Sequence, residues 1–144
     1  MTREDAGKYS AKHASGETPN PETAASLASR ALDDRVSCTD AMTVATELGV
    51  SPAEVGKTLD LLEYRIVRCQ LGLFGYSPQK RIVKPAEHVT DEVRDQLERR
   101  AVDGEISCAS CWSIADTLGI ERMEVSSACE RLGIKIRHCQ LGAF

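Results

Sequence analysis

The chain has 144 residues, of which 28% are charged, and it carries a formal net charge of −4 at pH 7. This acidity excludes a general electrostatic attraction to nucleic acid or to anionic membranes, so any such role needs a local basic surface. No apolar run approaches the ~20 residues of a transmembrane helix, and the polar N-terminus lacks the apolar core of a signal peptide, so we expect a cytoplasmic protein without a membrane partner.

The first stretch in chain order, residues 1–20, mixes Lys, Ser, Gly, Glu and Pro without periodicity. This composition predicts a mobile N-terminal arm. Pro21 then begins a predicted helix whose apolar positions recur at helical spacing up to Leu32. Val36 follows as a short β-favouring position, which leaves room for one brief strand.

Two more helices are predicted after this strand. Ser37 is a candidate N-cap for the first of them, and Gly49 ends it. Ser51 and Pro52 supply a cap and a first-turn proline for the next helix, which we place over Pro52–Tyr64. Two helices joined by a short turn that contains glycine, with a third helix before them, are typical of a helix-turn-helix.

A predicted strand over Arg65–Gln70 comes next, followed by a turn region rich in Gly, Ser and Pro over Gly72–Gln79. Lys80–Lys84 is predicted to return as a second strand. The two strands and their turn would form a wing. Residues 85–89 are then a predicted linker.

The whole pattern returns 70 residues later, most clearly where Cys69–Phe74 reappears as Cys139–Phe144. Between Glu22–Phe74 and Glu92–Phe144, 19 of 53 positions are identical without a gap. Unrelated segments share about one position in fifteen to twenty, so the chain contains a tandem duplication.

These elements predict a mainly α protein with a small β-wing, of the α+β class. The predicted organisation is an arm at 1–20, a first winged repeat at 21–84, a linker at 85–89 and a second repeat at 90–144 with a truncated wing. The order of helix, strand, helix, turn, helix and wing resembles the winged helix-turn-helix superfamily of transcriptional regulators, including the LysR-type and molybdate-responsive DNA-binding domains. The resemblance implies binding to double-stranded DNA, with the helix after Gly49 or Gly119 entering the groove.

The charge pattern gives this expectation mixed support. Pro52–Tyr64 has a net charge of −2, which is poor for reading base edges, whereas Arg65–Lys84 has a net charge of +5. We therefore expect phosphate contacts from the wing of the first repeat. The alternative is that these basic residues are simply solvated strand ends. The candidate DNA-contacting residues are Lys57, Arg65, Arg68, Lys80, Arg81, Lys84, Lys135 and Arg137.

The repeat also separates the six cysteines into two groups. Cys111 and Cys129 align with apolar positions of the first copy and are expected to pack in the core. The other four, at matching places in both copies, are candidate ligands for zinc or an iron–sulfur cluster. Packing and thiol sensing remain open alternatives for these four. The candidate metal ligands are Cys38, Cys69, Cys108 and Cys139.

No Ser-His-Asp pattern, paired catalytic carboxylates or phosphate-binding glycine loop is evident, so we do not expect an enzyme. The sequence predicts a DNA-binding transcriptional regulator, with a metal or redox response through the repeated cysteines as one option. The alternative is a protein-interaction or assembly module that does not bind DNA, favoured by the acidic recognition helices. A homodimer or another protein partner is compatible with either interpretation.

Overall fold

The computed structural model describes residues 9–14 and 16–144. In this part of the chain helices dominate, and three-residue strands form two small sheets, which confirms the predicted α+β class at this level. The chain divides into two compact units. The first unit contains the described residues up to Cys69 together with Gln140–Phe144, and the second contains Gln70–Cys139. Among the described residues, no helix has the length and apolar character needed to cross a membrane.

The described part of the first unit contains a 3-10 turn, three helices and two strands. Its elements are the turn Tyr9–Lys12, α1 (Pro21–Arg30), β1 (Arg35–Ser37), α2 (Cys38–Leu48), α3 (Pro52–Leu61) and β2 (Arg65–Val67). Its core is built from side chains that are completely or almost completely buried. These include Leu27, Val36, Val44, Leu59 and Ile66.

Local hydrogen bonds fix the ends of α2 and α3 as the sequence predicted. The Ser37 hydroxyl accepts a hydrogen bond from the backbone N–H of Asp40, and the Ser51 hydroxyl accepts one from Glu54, each at 3.1 Å. Gly49 ends α2 in a left-handed conformation, with φ of 66°. α2 and α3 are therefore joined by the three-residue turn expected of a helix-turn-helix.

β1 and β2 pair in parallel, with Val36 opposite Ile66. Parallel neighbours need a crossover connection, and here the connection consists of α2 and α3. Both central residues are buried, so the strand pair closes one side of the helical core. Successive side chains of a strand point to opposite faces of the sheet. Arg35 and Arg65, which are also paired in the register, therefore lie on the face turned away from the core.

The second unit repeats this arrangement. Its elements are α4 (Asp91–Arg100), β3 (Glu105–Ser107), α5 (Cys108–Leu118), α6 (Arg122–Leu132) and β4 (Lys135–Arg137). The Thr90 hydroxyl caps α4 by accepting a hydrogen bond from the backbone N–H of Val93. β3 and β4 are again parallel.

The predicted wing is wrong. No strand occurs in the described chain between Val67 and Asp91, so the returning strand over Lys80–Lys84 is absent. The backbone N–H groups of Ile82 and Val83 both donate to the carbonyl of Gly72, at 2.9 and 3.1 Å. These bonds close a loop on one acceptor instead of building an antiparallel ladder.

The compact units also differ from the predicted domain boundaries. Residues 70–89, assigned from the sequence to the first wing and linker, belong to the second unit, where Leu71 and Val83 are buried. The segment Gln140–Phe144 belongs to the first unit, and Leu141 is buried there. The compact units, with their buried apolar residues, therefore do not coincide with the repeats defined from the sequence.

The predicted mobile arm lies only partly within the described residues. Residues 1–8 and Ser15 lie outside them. Tyr9 is buried, and the turn Tyr9–Lys12 packs against α3. This part of the arm is thus an element of the first unit.

Candidate nucleic-acid interface

The strand pair of the first unit and the residue that follows β2 carry three arginines, Arg35, Arg65 and Arg68, which we call the arginine cluster. Arg35 and Arg65 are directly opposite one another on the face turned away from buried Val36 and Ile66. Arg68 follows one residue beyond the end of β2. Arg35 and Arg68 are exposed and Arg65 is half-buried. Three guanidinium groups are therefore carried on one short strand pair and its immediate continuation.

This concentration of positive charge is not compensated locally. Like charges on directly opposite strand positions destabilise a sheet. Among the described residues, none of the three arginines forms an ion pair. Asp33 and Asp34 precede Arg35 in the chain. The backbone N–H of Arg65 donates a 2.8 Å hydrogen bond to the carbonyl of Asp34, so this contact does not use the Asp34 carboxylate. A bound anion would offset the repulsion.

The matching edge of the second unit is compensated internally. Glu105 takes the place of Arg35 and is opposite Lys135. Arg137 Nε lies 2.9 Å from Glu105 Oε2 and donates a hydrogen bond to it. His138 stands where the first unit has Arg68. The predicted contact residues Lys135 and Arg137 therefore face a carboxylate of their own strand pair.

Two other predicted contact residues are also engaged with carboxylates. Lys57 on α3 lies 3.0 Å from Glu17, and this hydrogen bond lowers the pKa of Glu17 and raises the pKa of Lys57. Arg81 pairs with Glu130 on α6. Their charges are thus partly neutralised within their units.

The residues of the predicted basic wing are divided between the two compact units. Arg65 and Arg68 belong to the first unit, whereas the three later residues belong to the second. Lys80, Arg81 and Lys84 are exposed on the irregular segment after Gly72. A single clamp over 65–84 therefore does not form within either unit.

The predicted recognition helix α3 is covered near its C-terminal end by the turn Tyr9–Lys12 and the residue after it. Asp60 is only 3% exposed, and its Oδ2 lies 2.8 Å from His13 Nε2 and 3.3 Å from Lys12 Nζ. Glu63, just beyond the helix, accepts hydrogen bonds from the backbone N–H groups of Tyr9 and Ser10 at 3.0 and 2.8 Å. This end of α3 is occupied by the protein itself.

The pKa of Glu63 is shifted by two opposing causes. Partial burial raises it, but the hydrogen bonds from Ser10 and Tyr9 lower it further, so that the net pKa lies below its ordinary value. The charged form of Glu63 therefore holds the turn in place. The exposed side of α3 retains Glu54 and the Lys57–Glu17 pair, which does not favour contact with phosphate.

The four candidate metal ligands lie at or just beyond strand ends in the two units. Cys38, Cys69 and Cys108 are buried and Cys139 is half-buried. Among the described residues, no group of three or more His, Cys, Asp or Glu side chains is arranged to hold a metal ion. A metal site at these four cysteines stays a prediction from the sequence.

Cys111 and Cys129 are completely or almost completely buried, which confirms the prediction that they belong to the core of the second unit. The hydrogen bond with Cys129 and the burial of the site both raise the pKa of the Cys111 thiol. Because the thiolate is the reactive form, this thiol is a weak nucleophile.

Sequence reasoning missed Arg35, because it lies outside the segment 65–84 that was read as basic. The repeat alignment contained a usable signal, since Arg35 aligns with Glu105 and the charge is reversed between the copies. Comparisons with protein-family models, with curated proteins and with solved structures found no match.

Proposed function

We propose that the protein is a DNA-binding regulator whose first unit holds the phosphate backbone of duplex DNA through the arginine cluster. One observation carries the proposal. The strand pair of the first unit and the residue after β2 supply three arginines without a carboxylate partner among the described residues, while the matched pair of the second unit has Glu105 hydrogen-bonded to Arg137. Guanidinium groups are suited to phosphate because their donors match two of its oxygens at once.

The mode of binding follows from the other surfaces. α3 is acidic on its exposed side and covered near its C-terminal end, so base readout by this helix contributes little. Phosphate contacts then supply most of the affinity. Such binding is strongly dependent on salt and weakly dependent on sequence.

A salt titration of duplex DNA binding, followed by fluorescence anisotropy, tests the proposal. The triple variant Arg35→Ala/Arg65→Ala/Arg68→Ala removes the cluster. The matched control, Arg94→Ala/Arg99→Ala/Arg100→Ala, removes three arginines from α4 and changes the net charge equally. We expect the cluster variant to reduce the slope of log affinity against log salt by about 3, at about 0.9 for each lost phosphate contact, with little change in the control. Equal losses in both variants would contradict a specific site.

The second candidate, a protein-interaction module, is favoured by two exposed apolar side chains. Leu32 is 78% exposed and its repeat counterpart Val102 is 70% exposed. Each begins a tight turn closed by paired backbone hydrogen bonds, Leu32 with Arg35 and Val102 with Glu105. Exposed aliphatic side chains at the same place in both repeats are the feature that favours a protein partner over DNA.

A photo-crosslinking amino acid placed at position 32 separates the two candidates in cells. Since Leu32 lies close in sequence to the arginine cluster, DNA adducts are expected if the first proposal is right. Protein adducts without DNA adducts would favour the interaction module. Position 28, an exposed alanine on α1, is the matched control.

A further inference from the structure

Each unit is completed by a segment from the other repeat. Gln70–Phe74 of the first repeat belongs to the second unit. The matching segment of the second repeat, Gln140–Phe144, belongs to the first unit. The repeats have therefore exchanged equivalent segments. This exchange is independent of the proposed DNA binding.

In the first unit the exchanged segment fits a notch on α3. A Cβ atom at Gly56 would lie only 1.8 Å from the carbonyl oxygen of Leu141, so the close approach requires glycine. Leu141 is 2% exposed, and Lys12 Nζ donates a 3.1 Å hydrogen bond to the carbonyl of Gly142. The segment is thus an integral part of the core of this unit.

In the second unit the equivalent segment is equally buried. Leu71 is fully buried, and a Cβ atom at Gly72 would lie 3.2 Å from Met123 Cε and from Val83. The two segments, from the cysteine to the phenylalanine, are identical except that Leu73 is replaced by Ala143. Nearly identical segments thus complete both units.

A residue with a strained backbone lies just before each point where the chain passes from one unit to the other. Arg68 has φ of 53° and His138 has φ of 57°, and the chain changes units after the cysteine that follows each of them. A side chain in this left-handed region costs about 1 kcal/mol or more. Strain in a short hinge favours exchange of the segment that follows it between chains.

We propose that the notch at Gly56 also accepts Gln140–Phe144 from a second copy of this chain. In the resulting dimer, each chain supplies its Gln140–Phe144 segment to the notch of the other. The contacts within each unit are the same whether the segment comes from one chain or two. The balance between monomer and dimer is therefore set by the hinge at His138 and by protein concentration.

A complementation experiment with two full-length variants tests the proposal. Gly56→Leu blocks the notch but leaves the segment intact, and Leu141→Asp disables the segment but leaves the notch intact. Mixed together, they can form one good notch-and-segment pair. We expect sedimentation and native mass spectrometry to show a 1:1 complex of twice the chain mass in the mixture, and monomers in each variant alone.

The double variant Gly56→Leu/Leu141→Asp, mixed with Leu141→Asp, has no intact segment and should form no complex. A complex in this control, or only monomers in the complementing mixture, would overturn the proposal.

If either variant fails to fold, ¹⁵N-labelled and unlabelled wild-type chains are mixed instead. Native mass spectrometry should then show mixed dimers that increase with concentration, and their absence at the highest attainable concentration would equally overturn it.

Discussion

The strand pair of the first unit places Arg35 opposite Arg65, whereas that of the second places Glu105 opposite Lys135 and adds an ion pair with Arg137. The central residues of both pairs are apolar. Because packing around these central residues supports the strands in either unit, the charges at the edge are not needed to specify the fold. The first unit retains a repulsive arrangement that the second does without, which is the pattern expected of a binding surface.

α3 and α6 also differ in how one matched acidic residue is paired. Asp60 on α3 is buried and held by Lys12 and His13, while its counterpart Glu130 on α6 is partly exposed and held by Arg81. Both partners come from the segment that precedes the first helix of the unit. The same acidic position is thus served by different cations, with a more deeply buried carboxylate in the first unit.

Removing the cations should produce the largest difference between the units. Lys12→Ala/His13→Ala leaves the Asp60 carboxylate buried without a partner and should lower the free energy of unfolding by about 3 kcal/mol. Arg81→Ala leaves Glu130 accessible to water and should cost less than about 1 kcal/mol. Urea denaturation measures both. Adding Asp60→Asn to the double variant should recover part of the loss, and an equal cost in the two units would contradict the assigned burial.

The notch on α3 gives the next largest effect. Gly56→Ala forces the Leu141 backbone away and should lower the free energy of unfolding by about 2 kcal/mol, as overpacking does. Ser126→Ala, at the matched position of α6, removes a buried hydroxyl that lacks a hydrogen-bond partner, so it should be neutral or slightly stabilising. Thermal unfolding checks the contrast, which fails if the two substitutions have the same effect.

Giving the second strand pair the charge of the first should have a smaller effect, which is on DNA binding. Glu105→Arg removes the partner of Arg137 and creates a basic edge, so duplex affinity at low salt should rise about tenfold, or by about 1.4 kcal/mol. Anisotropy measures the change. The exposed acid Glu98→Arg on α4 is the charge-matched control, and an equal gain there would show that only net charge matters.

The smallest expected effect is the pH response of the turn Tyr9–Lys12. The pKa of Glu63 is lowered in the folded state, so its contribution to stability is complete above its ordinary pKa and is lost as the pH falls through the lowered value. In Glu63→Gln this acid-dependent loss should be reduced. Unfolding midpoints between about pH 6 and pH 3 measure it, and parallel pH profiles would show that Glu63 does not contribute.

The sequence predicted the starts of α2 and α3 well because they depend on local chemistry. Ser37 and Ser51 cap the helices expected of them and Gly49 ends α2, whereas α3 ends at Leu61 and not at the predicted Tyr64. The wing was wrong because the N–H groups of Ile82 and Val83 both donate to the carbonyl of Gly72, and because Gly72 packs near Met123, a residue distant in sequence. No local pattern encodes such long-range packing.

The candidate site was predicted only in part for a related reason. Arg65 and Arg68 were identified from a run of basic residues, whereas Arg35 joins them only through the parallel register. The pairing of Lys57 with Glu17, and of Arg81 with Glu130, is also tertiary. Charge counted along the chain therefore overstated how many basic residues lack acidic partners.

The membership of Gln140–Phe144 in the first unit has a consequence for biosynthesis. A ribosome makes the body of the first unit early, but it adds Leu141, a core residue of that unit, only after the helices of the second unit have been translated. Domains otherwise tend to fold in order from the N-terminus during synthesis. Here the earlier-made half must wait with an open notch until Leu141 has been translated, whereas every residue of the second unit has been made by Cys139.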